Sequence, residues 1–412
     1  MEKASSRQIE SWIRRINQFR EDEIGTTRLP FSKEEIDARE YVKKEMKKLG
    51  MEVSVDSVGN ICGRLVGQDS SLPSVWTGSH IDTVLKAGMF DGVAGIVAGM
   101  EAVRLICKSN VSHKRDICVR IYTAEESTRF HIGCIGSRTM AGHLSLKEMK
   151  QIHDKDHIYL YDLLKENHIN LSQYEQIPVA KGRVYGSIEL HIEQSDSLTS
   201  YNKKIGIVDA ICAPSNLIVT IEGKQSHAGG SSMKMRRDAF AALCQIGVEL
   251  EQMVQHADSQ YTTGTIGFVD VMPNAVNVIP GRVVFSVDVR DCDFISKNKV
   301  MKKLIQRMEI IAAKRGLSIQ IEEKCNDVPM KCSNKIVDIL EEECKGQELP
   351  YMHTVSGAYH DSLFIGEFAP VGMIFVPSKA GISHSPEEWT EFEDIAAGTD
   401  VLVAALLKLA NQ

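Results

Sequence analysis

The spacing of hydrophobic and polar positions changes between helical and strand-like along the first half of the chain. Ser32–Leu49 has helical spacing with Ser32 as a plausible N-cap, and Met51–Val66 alternates as strands do. The strands and helices that follow are predicted, in chain order, at Ser74–Ser79, Val93–Ile106, Asp116–Thr123, Gly136–His143 and Tyr185–Glu193. Because strands and helices alternate, we expect an α/β fold with a mixed, doubly wound sheet covered by helices on both faces.

Beyond these elements the pattern changes to shorter strands combined with two long helices. The strands are predicted at Ile205–Ile211, Asn216–Ile221, Thr263–Val271 and Val283–Arg290, and the helices at Lys234–Val254 and Asn298–Lys314. This combination is typical of an α+β domain of the ferredoxin-like type. The first pattern returns with elements at Asn334–Cys344, Val371–Pro377 and Phe392–Leu409. We therefore expect a catalytic domain in two parts, residues 1–212 and 329–412, interrupted by an inserted domain at residues 213–328.

Composition narrows the classes of function. The 412 residues carry 48 Lys+Arg and 55 Asp+Glu, so that no basic surface for nucleic acid is expected. The most apolar stretch, Gly92–Ile106, contains Glu101 and Arg104 and is shorter than the ~20 residues of a bilayer span. The charged N-terminus predicts no signal peptide, and ten scattered cysteines without a CxxC pair favour a reducing cytoplasm. We expect a cytoplasmic protein that acts on a small molecule, without nucleic acid or membrane partners.

Polar side chains cluster at the ends of predicted strands and helices, where open α/β sheets bind ligands. The five segments are Gly78-Ser-His80-Ile-Asp82, Asp91-Gly92, Glu125-Glu126, His191-Ile-Glu193-Gln194 and Ser383-His384-Ser385-Pro386-Glu387. Three histidines with several carboxylates are ligands that Zn²⁺ and Mn²⁺ accept. Residues two apart on an extended chain face the same way, so Asp82 is expected to orient His80 through its carboxylate. Adjacent glutamates face apart, so one can bind metal while its neighbour acts as a base.

Each segment alone has a simpler explanation. A histidine after a strand is usually a polar residue with a hydrogen-bond partner, and an acidic pair is usually solvated. The coincidence of all five segments indicates a metal site instead. The remaining histidines, apart from those in the motifs described below, lack such neighbours and are taken as structural.

In combination, the motifs of this chain resemble those of the dinuclear-metal amidohydrolases, the hydantoinase/carbamoylase branch of the aminoacylase and carboxypeptidase-G type metallopeptidases. The resemblance rests on GSHIDT, DG, EE followed by RF, HIEQ, SHAG, NAVNVIPG, DVRD and ISHSPEE, in chain order. It implies two divalent metal ions per subunit, Mn²⁺ or Zn²⁺, that share a bridging Asp91. One ion would also be bound by His80 and His191, and the other by Glu126 and His384.

The same resemblance implies roles for residues outside the ligand set. Glu125 would be the general base that takes a proton from water and passes it to the leaving nitrogen, and His227 would donate to the developing oxyanion. Asn277 and Arg290 match the family's carboxylate anchors, and an arginine fork binds a carboxylate bidentately. The other substrate-binding candidates are His360, Gln194 and Tyr359.

Departures from the common family motifs bear on the substrate. The AYHDSLF run at Ala358–Phe364 and the EE-x-TRF segment that begins at Glu125 are similar to those of ureidoglycolate amidohydrolases. The arginine expected before AYHD is Gly357 here, and the glycine expected after HIEQ is Ser195. The first expectation is hydrolysis of (S)-ureidoglycolate to glyoxylate, ammonia and CO₂. Allantoate or an N-carbamoyl-L-amino acid stays open as the substrate, with a dipeptidase or a non-catalytic scaffold as remote alternatives.

The resemblance also implies an assembly. In this family the smaller domain is a lid and forms the contact of a homodimer, so a homodimer is expected. His227, Asn277 and Arg290 all lie in the inserted domain. In the family the histidine and the asparagine of the smaller domain reach into the partner's site, and the resemblance implies the same for this chain. From the residues alone, action within one chain or across the dimer stays open.

Overall fold

The computed structural model describes residues 2–412, which divide into two compact units. The first unit comprises the chain up to Asp209 together with Cys332–Thr354 and His360–Gln412. The second unit comprises Ala210–Lys331 and Val355–Tyr359. Residues 355–359 were predicted to belong to the catalytic domain. They group with the second unit instead, where the Cys212 amide donates to the Ser356 carbonyl at 2.8 Å.

A mixed sheet, called the large sheet below, runs through the first unit. Its strands, in spatial order, are Glu52–Val55, Ile61–Leu65, Ile117–Tyr122, Ser74–His80, Val184–Ile192, Val371–Val376 and Ile205–Ile211, with Tyr351–Ser356 beside the last. The pairs that join Ile117–Tyr122, Ser74–His80, Val184–Ile192 and Val371–Val376 are parallel, and the remaining pairs described are antiparallel. Ile205–Ile211 extends the large sheet as an antiparallel partner of Val371–Val376.

Helices pack against the large sheet and bury its apolar side chains. The helices of the first unit are Ser6–Ile16, Lys33–Lys48, Val93–Ser109, Ile135–Met140, Leu146–Met149, Leu160–Glu166, Ser197–Ser200, Asn334–Gly346, Asp361–Ile365 and Phe392–Asn411. Those that contact strands of the large sheet are Lys33–Lys48, Val93–Ser109, Ile135–Met140, Asn334–Gly346, Asp361–Ile365 and Phe392–Asn411. The predicted N-cap is confirmed, because the Ser32 hydroxyl accepts from the Glu35 amide. Val93–Ser109 and Phe392–Asn411 contribute most of their residues to one core with the sheet, so the elements that carry the site rest on a rigid base.

The second unit is an antiparallel sheet, called the small sheet, with two long helices. Its strands, in spatial order, are Val269–Met272, Arg282–Asp291, Ala213–Glu222 and Ser318–Asn326, with Thr263–Thr265 also paired to the second. The helices are Ala239–Gln255 and Phe294–Arg315. The short strands Ser226–His227 and Val278–Ile279 pair with each other, and Met330–Lys331 pairs with Ile205–Ile211 of the large sheet. The β-α-β-β-α-β order confirms the predicted ferredoxin-like insert, and the mixed large sheet confirms the α/β class.

The structure corrects several element boundaries. The helix predicted at Lys234–Val254 begins at Ala239, because Asp238 caps it by accepting from the Ala241 amide at 3.0 Å. The helix predicted from Asn298 begins at Phe294, where Asp293 accepts from two backbone amides. The predicted strand Thr263–Val271 is split in two. The strand Ser318–Asn326 and the helix Ser6–Ile16 were not predicted.

Within the described residues, 2–412, no helix is both long enough and apolar enough to cross a membrane.

Candidate active site

The carboxylate of Asp91 lies at the centre of the site, and each of its oxygens faces a different set of side chains. Its Oδ1 lies 3.3 Å from Nε2 of His80 and 3.2 Å from Nε2 of His191. Its Oδ2 lies 3.2 Å from Nε2 of His384, and that nitrogen lies 3.4 Å from the Glu126 carboxylate. The structure therefore brings together all five predicted metal ligands, in two sets that share one aspartate.

His80 ends a parallel strand of the large sheet, and its ring lies against the backbone of Gly92. A Cβ at residue 92 would lie 2.6 Å from three atoms of the imidazole ring, and Gly92 has a φ of 66°. Nδ1 of His80 lies 3.0 Å from the carbonyl oxygen of Asp82. That contact puts the proton on Nδ1 and directs Nε2 towards Asp91.

The predicted role of the Asp82 carboxylate is wrong in one respect. Its nearest oxygen lies 3.9 Å from Nδ1 of His80, too far for a hydrogen bond, so His80 is oriented by the backbone carbonyl instead. The fully buried Asp82 carboxylate accepts from the backbone amides of Glu125 at 3.3 Å and Glu126 at 3.0 Å. Asp82 therefore fixes the turn that carries both glutamates.

Left-handed backbone recurs at the positions that present the functional side chains. Ala124, directly before Glu125, has a φ of 51°, Gln194 has a φ of 58° and His384 has a φ of 54°. Such conformations cost free energy for residues with a Cβ, and they persist where the surrounding structure enforces them. Here they occur in the three separate loops that carry the adjacent glutamates, Gln194 and His384.

Burial and mutual charge shift the pKa values of the acidic residues. Burial raises the pKa of Glu125 well above its usual range, opposed by His80 and reinforced by Glu126. Burial and the neighbouring Asp91 raise the pKa of Glu126 to about 7. Burial would also raise the pKa of Asp91, but hydrogen bonds from the histidines hold it well below its usual range. The bridging carboxylate is therefore the ionised member of the group.

The histidines are shifted in the complementary direction. The hydrogen bond to Asp91 raises the pKa of His384 to about 9. Burial would lower the pKa of His80, yet the facing carboxylates raise it well above its usual range. The carboxylates thus attract positive charge, which protons on the imidazoles supply in the absence of another cation.

The surroundings contain more buried carboxylates than any side-chain cation balances. Those less than a tenth exposed are Asp82, Asp91, Glu125, Glu126, Glu189, Asp361 and Glu388. Within residues 2–412 no lysine or arginine forms an ion pair with any of them, and their ion-pair partners are histidines. The buried Arg28 guanidinium interacts electrostatically with Asp82 without forming an ion pair. Buried anions need compensating charge, so the donor set fits divalent cations at both sets of ligands.

His360 lies beside the ligand His191, with ring centroids 4.6 Å apart. Donor atoms of Glu189, His191 and His360 form a third set within 4.8 Å of one another. The two Glu189 oxygens, however, accept from the hydroxyls of Ser79 at 2.7 Å and Ser362 at 2.6 Å. Glu189 therefore connects the strand that ends at His80 to the helix that follows His360.

Gln194 contacts the bridging ligand directly. Its Nε2 donates to Oδ2 of Asp91 at 2.8 Å, and its backbone amide donates to the Ser378 hydroxyl at 3.0 Å. The structure thus places this predicted substrate-binding residue next to both ligand sets.

The other candidates lie in the second unit, where they form two pairs. His227 and Asn277 are neighbours, because the Asn277 carbonyl accepts from the residue after His227. Nδ1 of His227 accepts from the amides of Gly229 and Gly230, which leaves the ring proton on the exposed Nε2 as a hydrogen-bond donor. Arg290 lies 5.9 Å from the ring centroid of Tyr359.

Sequence reasoning missed the residues that support the ligands. Ser383, Glu388 and Glu189 contact ligands or the loops that carry them, and none was proposed as a site residue. Glu388 is the last residue of the ISHSPEE motif, so the motif includes it, but nothing in the sequence indicates that it supports the ligands.

Together, this fold and site define a metal-dependent amidohydrolase. Residues 76–408 match the model of peptidase family M20/M25/M40, and the chain belongs to that family. The family resemblance inferred from the motifs is confirmed.

Three known proteins show how far the similarity extends. The chain is 37% identical over 386 residues to an N-carbamoyl-L-amino-acid amidohydrolase of Pseudomonas sp. (strain NS671), covering 93% of both. It is 37% identical over 392 residues to a ureidoglycolate hydrolase of Oryza sativa subsp. japonica, covering 94% of this chain and 81% of the relative. The crystal structure of AtUAH in complex with glyoxylate superposes with a TM-score of 0.91 at 33% identity, covering 99% of this chain and 98% of the other.

Proposed function

We propose that this enzyme hydrolyses a ureido C–N bond in a small acidic substrate, with (S)-ureidoglycolate as the first candidate. The products would be glyoxylate, ammonia and CO₂. The observation that carries the proposal is the Asp91 carboxylate, each oxygen of which faces its own set of ligands, with Glu125 nearby. The rice relative named ureidoglycolate hydrolase and the similar structure that contains glyoxylate support the choice of substrate.

We assign two divalent ions, Mn²⁺ or Zn²⁺, to the two sets of ligands. His80, Asp91 and His191 would bind one ion, and Glu126 and His384 would complete the other set with the shared Asp91. Bound divalent cations polarise an amide carbonyl and lower the pKa of water.

Glu125 is assigned as the general base. Its carboxylate lies 3.8 Å from Nε2 of His80 and is not itself a member of either ligand set. Burial raises the pKa of Glu125, which makes its carboxylate a stronger base towards the proton of water once it is ionised. The same carboxyl can then pass the proton to the leaving nitrogen.

The substrate contacts are assigned to six residues in all. Gln194 and His360 lie beside the ligands, and His227 has a donor nitrogen suited to an oxyanion. Asn277 and Arg290 are assigned to the substrate carboxylate, with Tyr359 beside the guanidinium.

We further propose a homodimer that works in the cytoplasm. The small sheet has an edge strand, Val269–Met272, whose Val269 and Met272 side chains are exposed. On the helix Ala239–Gln255, Phe240 and Val248 are also exposed. An apolar edge strand with an apolar helix favours association between copies. All ten cysteines are free, which favours a reducing compartment.

A second candidate substrate is an N-carbamoyl-L-amino acid, because the bacterial relative with that name is equally similar in sequence. Purified enzyme loaded with Mn²⁺ should be tested against ureidoglycolate, allantoate, an N-carbamoyl-L-amino acid and a dipeptide, with Glu125→Gln as the inactive control. Glyoxylate and ammonia from ureidoglycolate support the first candidate. Turnover of allantoate or the carbamoyl amino acid alone excludes it.

A further inference from the structure

Glu388 is a buried carboxylate next to the site that belongs to neither ligand set. Glu388 is only 2% exposed. Within residues 2–412 it accepts hydrogen bonds from two backbone amides and a serine hydroxyl, and it has no lysine or arginine partner. A buried carboxylate without a cation costs free energy, so its retention calls for an explanation in terms of what it contacts.

One oxygen of Glu388 holds the loop that carries the bridging ligand. Its Oε1 accepts from the backbone amide of Phe90 at 3.0 Å and from that of Asp91 at 3.2 Å. Gly88 makes room for it, because a Cβ at residue 88 would lie 2.4 Å from Cβ of Glu388. The backbone of Asp91 is thereby fixed to the loop that contains His384.

The other oxygen competes with Asp91 for one proton. The Ser383 hydroxyl lies 2.8 Å from Oε2 of Glu388 and 3.2 Å from Oδ2 of Asp91. A hydroxyl has a single proton, and the shorter distance assigns it to Glu388. The Asp91 Oδ2 atom already accepts from Nε2 of Gln194 at 2.8 Å, so its second lone pair, on the side of His384, is the one that stays available for a cation.

We propose that Glu388 is a positioning residue for the cation site formed by Asp91, Glu126 and His384. It holds the Asp91 backbone with one oxygen, and with the other it draws the Ser383 proton away from the bridging carboxylate. The inference rests on the proposed two-metal function.

Replacement of Glu388 by glutamine tests the second of these actions. Only the oxygen of an amide accepts hydrogen bonds, so it must face the Phe90 and Asp91 amides and leave Nε2 towards Ser383. There Nε2 donates, and the serine proton turns to its nearest other acceptor, Oδ2 of Asp91. We expect the second Mn²⁺ to bind about 10- to 100-fold more weakly, as is usual when a group that supports metal ligands is replaced.

The matched control and the rescue both lie in the same loop. Glu387→Gln removes a neighbouring but exposed carboxylate and should bind Mn²⁺ as the wild type does. Adding Ser383→Ala to Glu388→Gln removes the misdirected proton and should restore the second binding step. A purely structural role would instead make the double variant at least as weak as Glu388→Gln.

The readout is titration of metal-free protein with Mn²⁺ against a chromogenic chelator, with thermal unfolding as a check of the fold. Unchanged affinity in Glu388→Gln, or no recovery in the double variant, overturns the inference while the two-metal centre stands. A wild type that binds fewer than two ions overturns both. If Glu388→Gln does not fold, Ser383→Ala alone decides. Unchanged binding of the second ion supports the inference, and tighter or weaker binding overturns it.

Discussion

At the scale of single residues, the site depends on carboxylates with different tasks in similar surroundings. Glu125 and Glu126 are adjacent, and both are anchored through their backbone amides by Asp82. Only Glu126 faces His384, whereas Glu125 faces His80. The proposed division into base and ligand therefore follows from the directions of the two side chains.

Replacement of Glu125 by glutamine should abolish most turnover while both metal ions stay bound. The amide has nearly the same shape but cannot accept the proton from water, and general acid–base catalysis typically contributes about 10²- to 10⁴-fold. Turnover and metal content should be measured on the same preparation. Asp91→Asn is the contrasting variant, because it weakens the shared ligand and should lose metal. Near-normal turnover in Glu125→Gln would remove this residue from the mechanism.

Arg290→Lys should raise the KM for an acidic substrate and leave the metal content unchanged. In the structure, Nε and one terminal nitrogen of Arg290 donate to Asp288, which fixes the plane of the guanidinium. Lysine keeps the positive charge, but its single ammonium group cannot donate to Asp288 through two nitrogens and also offer a planar pair of N–H donors to a substrate carboxylate. Steady-state kinetics with the acidic substrate checks the prediction. An unchanged KM would mean that the carboxylate binds elsewhere.

The ligands could be predicted from sequence, but the residues that support them could not. His80, Asp91 and His384 belong to short motifs of the residue types that bind metals. Glu388 contacts the amide of Phe90 across 298 positions of sequence, and no local pattern reveals such a contact. The predicted role of the Asp82 carboxylate was wrong because the strand ends at His80. Residues 80 and 82 are therefore not both in extended backbone, and their side chains do not share a face.

At the scale of elements, strand and helix termini bring the ligands together. His80 ends one parallel strand, His191 lies near the end of its neighbour, and Gly92 precedes the helix that follows Asp91. The strand Val371–Val376 was predictable because its buried residues form a continuous apolar run. The strand Ser318–Asn326 was not predicted, because its alternating pattern consists of exposed and partly exposed positions that include charged residues.

Gly92→Ala should lose metal from the set that contains His80. A Cβ there would overlap the imidazole, and the positive φ adds a strain of about 1–3 kcal/mol. Gly50→Ala is the control, because Gly50 has a φ of 83° with nothing within 4 Å of its added Cβ. Comparison of the metal content of the two folded variants separates the effect of backbone strain from the effect of displacing the His80 ring. Full metal content in Gly92→Ala would show that the ring can move without loss of binding.

At the scale of the whole molecule, the buried carboxylates couple metal binding to pH. In the metal-free protein the pKa of His384 is raised to about 9 by Asp91, and that of Glu126 to about 7 by burial. Both groups therefore hold protons at or below neutral pH that a cation must displace. Metal affinity should rise with pH up to about 9, with proton release on binding. Calorimetric titration in buffers of different ionisation enthalpy measures this release, and none at pH 7 would contradict the prediction.

A mixed dimer shows which chain's site His227 serves. His227 lies in the second unit and Glu125 in the first, so a homodimer allows either residue to serve its own chain or the partner. Each of the variants Glu125→Gln and His227→Ala should be inactive alone. If His227 acts in the partner's site, a mixed dimer contains one site with both residues intact, because the two substitutions fall together in the other site. Activity should then recover towards half of the sites of the mixed dimers. Absence of recovery, with subunit exchange demonstrated by two affinity tags, would place His227 in the site of its own chain.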